Sequence, residues 1–194
     1  MAATPSTMVE IGTPMPRFSL TDVRTGETVD NNYFVGAEGS LVAFICNHCP
    51  FVVHIRDEFL KFAREFQNKG VRVVAISAND PVTHQDDSPE NMKHLAEEKG
   101  FTFPYLFDQT QEVAKAFGAA CTPDFFLYGP DQTLFYRGQF DDSRPGNEKP
   151  VTGDDLRMAM QALLNGNPAP AQQRPSMGCN IKWRSGNEPT YYSG

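Results

Sequence analysis

The sequence predicts an α/β fold with a mixed central sheet, and three observations carry that reading. Two unbroken apolar runs, residues 41–45 and 71–77, have the character of buried strands. Between them, Phe51, Ile55, Phe59, Phe62 and Phe66 recur at steps of three and four, so one helical stripe faces a core. Further helix signals follow and a β-hairpin precedes the last helix, so parallel alternation gives way to antiparallel pairing. With 194 residues, 40% of them hydrophobic and 15 of them Phe, the chain can bury the core that such a sheet requires.

The elements follow in order. Residues 1–16 are rich in Thr, Pro and Ser and read as an N-terminal tail, followed by a domain over 17–167. Ser19-Leu20-Thr21 and Thr28-Val29 flank the polar turn Arg24-Thr25-Gly26-Glu27, which predicts a small hairpin. A strand over 41–45 leads into a helix over 51–69, with Gly70 as its C-cap, and a second buried strand over 71–77. Residues 79–90 hold Asp, Pro, Thr, Ser and His and read as a loop. Ser88-Pro89-Glu90 caps a helix that runs to Lys99 and Gly100.

A short strand over 104–107 and a short helix over 111–117 ending at Gly118 come next. Strands over 124–128 and 133–137 flank Gly129-Pro130-Asp131-Gln132, a turn composition that predicts the hairpin. A helix over 152–165 is capped by Thr152 or Asp154 and stopped by Gly166. Residues 168–194 are rich in Pro, Gln, Ser, Gly and Asn and are expected to form an irregular C-terminal extension running over the surface.

Lys and Arg total 17 against 24 for Asp and Glu, a net charge of -7, which argues against a phosphate-binding surface and hence against nucleic acid. No apolar run is long enough to span a bilayer, so no membrane partner is expected. Residues 1–16 lack a basic segment followed by an apolar one, so the expected compartment is the cytoplasm. Structural disulfides are rare there, and a close thiol pair more often means redox chemistry or metal binding.

Cys46-Asn47-His48-Cys49 is that pair. It lies between a buried strand and the helix signal that begins with Pro50. Unpaired backbone N–H groups and the positive dipole end at a helix N-terminus stabilise a thiolate. A stabilised thiolate is a nucleophile at neutral pH. The spacing also lets a second sulfur close a disulfide once the first has reacted. Cys46 is expected to attack and Cys49 to resolve. The same residues also allow two inert buried thiols. Cys121 and Cys179 are additional redox or metal thiols if the fold gathers them, and four thiolates can hold zinc or an iron-sulfur cluster. The spacing itself does not require a metal, and no cofactor is assigned.

A strand ending in Cys-x-x-Cys, a helix, a βαβ unit and then Thr122-Pro123 before a hairpin resemble the thioredoxin fold. The N-terminal hairpin and the inserted helix near residues 89–99 look more like the peroxiredoxin and TlpA branch than like minimal thioredoxin. Asn47-His48-Cys49-Pro50, the run from Ala120 to Phe126, the run from Asp141 to Gly146 and the run from Gly178 to Trp183 resemble a peroxiredoxin-like (AhpC/TSA, TlpA-related) group that keeps a Cys-x-x-Cys motif. The resemblance implies a cis Pro123 facing the thiols, with Thr122 and Pro123 binding substrate through strand-like hydrogen bonds. It also implies thiol-disulfide oxidoreductase activity on protein or low-molecular-weight thiols and disulfides, with an electron donor that the sequence does not identify.

Asn47 and His48 then support the thiols, and a His before the second Cys resembles Cys-Pro-His-Cys of the oxidant DsbA. Two departures from thioredoxin stand out: Ile45 replaces the usual Trp, and no carboxylate lies in residues 40–45 to accept a proton. Peroxiredoxins hold peroxide with Pro-x-x-x-Thr-x-x-Cys. Counting back from Cys49 meets Cys46 and Val42, and from Cys46 meets Ala43 and Gly39. Peroxidase activity is therefore expected to be modest.

Overall fold

The computed structural model describes residues 3–192. In chain order its elements are β1 (Thr4–Pro5), β2 (Ser19–Asp22), β3 (Thr28–Asp30), β4 (Gly39–Phe44), α1 (Pro50–Gln67), β5 (Val71–Ser77), α2 (Pro89–Lys99), β6 (Tyr105–Phe107) and α3 (Glu112–Phe117). They continue with β7 (Cys121–Thr122), β8 (Asp124–Tyr128), β9 (Leu134–Gly138), α4 (Asp154–Leu164) and β10 (Met177–Asn180). Seven strands form one mixed sheet in the order β3-β2-β6-β5-β4-β8-β9, parallel at β4–β5 and β5–β6 and antiparallel at the other junctions. A small antiparallel sheet, β1-β10-β7, closes over one end.

The apolar runs are buried on both faces, as side chains alternate across a strand. Leu41 and Ala43 of β4 join a core with Phe59, Phe62 and Phe66 of α1, Met92 of α2 and Leu156 of α4. Val42 and Phe44 face the other way, into a core with Phe18, Phe34, Phe117 of α3 and Ile181. The predicted stripe on α1 is buried at Ile55, Phe59, Phe62 and Phe66, while Phe51 is only half-buried.

Element ends differ from expectation for local reasons. α1 starts one residue earlier, because Pro50 needs no N–H partner in a first turn, and its C-cap is Asn68 in place of Gly70. α4 starts at Asp154, and neither Thr152 nor Asp154 supplies the cap. The carboxylate of Asp141 accepts from the backbone N–H groups of Thr152 and Gly153, both at 2.7 Å, and so satisfies the helix entry from outside it.

Both terminal segments pack on the domain. The extension begins with the side-chain amide of Gln173 bridging Phe135 and Arg137 on β9, then pairs through β10 with both β1 and β7. Beyond β10 it stays attached: the Lys182 N–H donates to Asn79, 2.8 Å, and its carbonyl accepts from the Asp80 N–H and the Gln111 side chain. The extension is therefore a strap across the open end of the sheet, buried at Ser176, Gly178, Cys179 and Ile181 and partly or fully exposed elsewhere among its described residues. Among the described residues no helix is long and apolar enough to cross a membrane.

Candidate active site

β4 delivers the motif to the edge of the sheet, and Pro50 starts α1 immediately after it. Cys49 is the N-cap residue, with extended backbone angles (φ -63°, ψ 123°). The helix N-terminus therefore favours charge on Cys49, three residues after Cys46, the thiol expected to be stabilised there. The Thr122–Pro123 bond is cis, as the resemblance implied. Thr122 faces both sulfurs: its Oγ1 lies 3.4 Å from Cys46 Sγ, and its carbonyl accepts from the Cys49 thiol at 3.1 Å.

All four cysteines are free thiols and buried, but they are not equivalent. The neighbouring Cys179 and then Cys46 thiols, with the Val52 N–H, hold the Cys49 thiol well below the ordinary thiol range. The Cys46 thiol is pushed up, first because it donates to Cys49, then by burial and by the Asp87 carboxylate; the Thr122 hydroxyl acts in the opposite direction. Donation to Cys49 and burial likewise push the Cys179 thiol up. Cys121 stands apart. Its thiol points at the Pro123 carbonyl, 3.6 Å, and burial, then the neighbouring Asp124 carboxyl, keep it protonated.

The four sulfurs are thus not gathered into a ligand set. Among the described residues, the one group of three or more metal-type ligand atoms mutually within 4.8 Å is Cys46, His48 and Asp87. Tetrahedral binding through four thiolates would bring every sulfur about 4 Å from the others, as metal–sulfur bonds of about 2.3 Å require. Asp87 is committed elsewhere in any case.

A buried carboxylate does lie beside the motif, supplied from outside residues 40–45. Asp87 is fully buried beneath the motif, where it accepts from the Asn47 N–H at 2.7 Å and the Asn79 side chain at 2.8 Å. It also sits 2.6 Å from His48 Nδ1. His48 is pinned by Asp87 on one side and by stacking on His84 on the other, with ring centroids 5.0 Å apart. Asn47 is held by its side-chain amide on the Asp86 carbonyl and by the hydroxyl of Tyr105, which donates to its side-chain oxygen at 3.1 Å. The dipeptide is therefore rigidly placed, and no spacing signal links it to residues some forty positions downstream.

The edge beside the thiols, assigned to substrate by the sequence analysis, is paired with the chain itself. Cys179 lies opposite Thr122 and Asn180 opposite Cys121. Gly178 makes this approach feasible: a Cβ there would sit 2.0 Å from the Thr122 carbonyl oxygen.

A mixed sheet whose Cys-x-x-Cys loop opens α1 and faces a cis-proline defines a protein of the thioredoxin-like class. Within it, this chain belongs to the AhpC/TSA family, whose model matches residues 11–137. A crystal structure of an uncharacterized conserved protein from Geobacillus kaustophilus is 50% identical, with a TM-score of 0.93, covering 95% of this chain and 97% of that one. The thiol-disulfide oxidoreductase ResA of Geobacillus thermodenitrificans is 27% identical over 127 residues, 64% of this chain and 66% of ResA. A thioredoxin family thiol:disulfide interchange protein from Chlorobium tepidum shares the fold at 18% identity, with a TM-score of 0.61 over 80% of this chain and 98% of that one.

Proposed function

We propose that the protein is a thiol-disulfide oxidoreductase that cycles between a dithiol and a Cys46–Cys49 disulfide. The observation that carries this reading is that Cys46 and Cys49, at the start of α1, both contact Thr122 of the cis Thr122–Pro123 bond. The similarity to ResA supports it. Substrates are protein or small-molecule disulfides or thiols, and a separate thiol donor or acceptor returns the pair to its starting state.

The chemistry follows from the hydrogen bonds. Of the two thiols Cys49 is the more acidic, so once ionised it serves as the base that residues 40–45 lack. Transfer of the Cys46 proton to the Cys49 thiolate creates the attacking Cys46 thiolate. Thr122 supports this second arrangement at both sulfurs, its hydroxyl donating to the Cys46 thiolate and its carbonyl accepting from the Cys49 thiol. Cys46 then attacks a substrate disulfide, forming a mixed disulfide and expelling one thiolate, which takes the Cys49 proton. Cys49 attacks Cys46 Sγ and expels the second substrate thiolate. His48 and Asn47, held by Asp87, flank Cys46 on one side, and Thr122 and Pro123 lie on the other.

A stabilised thiolate in the reduced state makes a disulfide a stronger oxidant. Redox titration against glutathione is therefore expected to give a potential above thioredoxin's value of about -270 mV. A value at or below it would contradict the role given to the Cys49 thiolate. Loss of disulfide exchange in both Cys46→Ala and Cys49→Ala tests the dithiol cycle itself. Membership of the AhpC/TSA family favours a second activity, thiol-dependent reduction of peroxide. Without the Pro and Thr that hold peroxide, its turnover with an added thiol reductant should be slow.

A further inference from the structure

We propose that Cys179 is an internal substrate of the Cys46–Cys49 pair: the C-terminal strand β10 is seated where a substrate strand docks, and Cys179 exchanges with Cys49. The inference rests on the dithiol reading above and extends it to a third thiol.

The placement has three independent parts. β10 runs antiparallel to β7 with Cys179 directly opposite Thr122, the residue before the cis-proline. Gly178 brings the two backbones into a contact that no side chain would permit. The Thr122 carbonyl that Gly178 approaches also accepts from the Cys49 thiol at 3.1 Å, and Cys179 is the residue paired opposite Thr122. Cys49 and Cys179 therefore meet at one residue, whose hydroxyl lies 3.4 Å from Cys46 Sγ. Cys49 is also the most enclosed, with 0% of its surface exposed against 1% for Cys46 and 3% for Cys179.

The step balances without an outside oxidant. Starting from the Cys46–Cys49 disulfide, the Cys179 thiol loses its proton and attacks Cys49 Sγ. A Cys49–Cys179 bond forms, the Cys46–Cys49 bond breaks, and Cys46 leaves as a thiolate that takes up the proton. One disulfide and one thiol are present before and after. The result frees Cys46 while the oxidising equivalent is stored between α1 and the C-terminal strap. Cys121, turned toward the Pro123 carbonyl, takes no part.

Peptide mapping after anaerobic oxidation with glutathione disulfide and acid trapping tests the proposal. In the wild-type protein, a Cys49–Cys179 cross-linked peptide is expected beside the Cys46–Cys49 one. In Cys46→Ala, and in Cys46→Ser as a second replacement at this buried position, Cys49 first forms a mixed disulfide with glutathione. Cys179 then displaces the glutathione, leaving Cys121 as the remaining thiol. Absence of the Cys49–Cys179 peptide from the wild-type digests would overturn the proposal. So would folded Cys46 variants that keep glutathione on Cys49. Cys179→Ala separates the two readings: it should still form Cys46–Cys49, and failure to do so would count against the dithiol cycle and not against the exchange alone.

Discussion

Thr122 serves both sulfurs from one residue, through its hydroxyl at Cys46 and its carbonyl at Cys49. Thr122→Val keeps the shape and the carbonyl but removes a hydrogen bond to a charged sulfur, an interaction of about 1.5–3 kcal/mol. Alkylation of Cys46 by iodoacetamide should slow by about tenfold or more, with little change in fold. Cys49 carries the pH dependence. Its folded pKa is depressed, so its contribution to stability is complete above the unfolded thiol value of about 8.5 and is lost as pH falls through the folded value. The ultraviolet absorbance of a thiolate should therefore persist below neutral pH in the wild type and vanish there in Cys49→Ala. Asp87 was the least legible part of the site. An acidic residue in a polar loop carries no sign that it lies beneath a motif about forty residues earlier, and only the strand order brings them together. Asp87→Ala leaves the Asn47 N–H and the Asn79 amide without a buried acceptor, at about 1–3 kcal/mol each, which denaturant unfolding would measure.

At the scale of elements, legibility followed local signal strength. α1 announced itself by its Phe stripe, α2 by Ser88, whose hydroxyl accepts from the Asn91 N–H, and α3 by Gly118. The hairpin of β8 and β9 followed from its turn. β10 had no such signal, because Met177-Gly178-Cys179-Asn180 has neither alternation nor β-branched residues and becomes a strand only by pairing on both sides. Its glycine is the element's weak point. Gly178→Ala forces a carbon against the Thr122 carbonyl, so β10 must lift from β7. The expected result is a loss of about 1–3 kcal/mol, in the range of overpacked sites, with faster alkylation of Cys49 and Cys179. Unchanged thiol accessibility in that variant would show that β10 does not cover the pair.

Across the whole molecule, the seven-stranded sheet separates two aromatic cores, and the active-site thiols belong to the one that α1 and α4 cover. Phe62 has no exposed surface and packs edge-on against Phe140 at 5.5 Å and beside Phe66 at 4.5 Å. Phe62→Ala should cost about 3–5 kcal/mol in denaturant unfolding and loosen the base of α1 without touching the motif directly. The α/β architecture was legible because buried strands and an amphipathic helix leave their periods in the sequence. The closed state of the site was not, since it depends on a chain end returning across the molecule. That return has a consequence for how copies of the protein meet. Without β10, both β1 and β7 would present unpaired edges beside reactive thiols, the arrangement that invites strands from neighbouring molecules to add on or exchange. The C-terminal strap fills that gap from within, leaving neither edge free for a neighbour's strand.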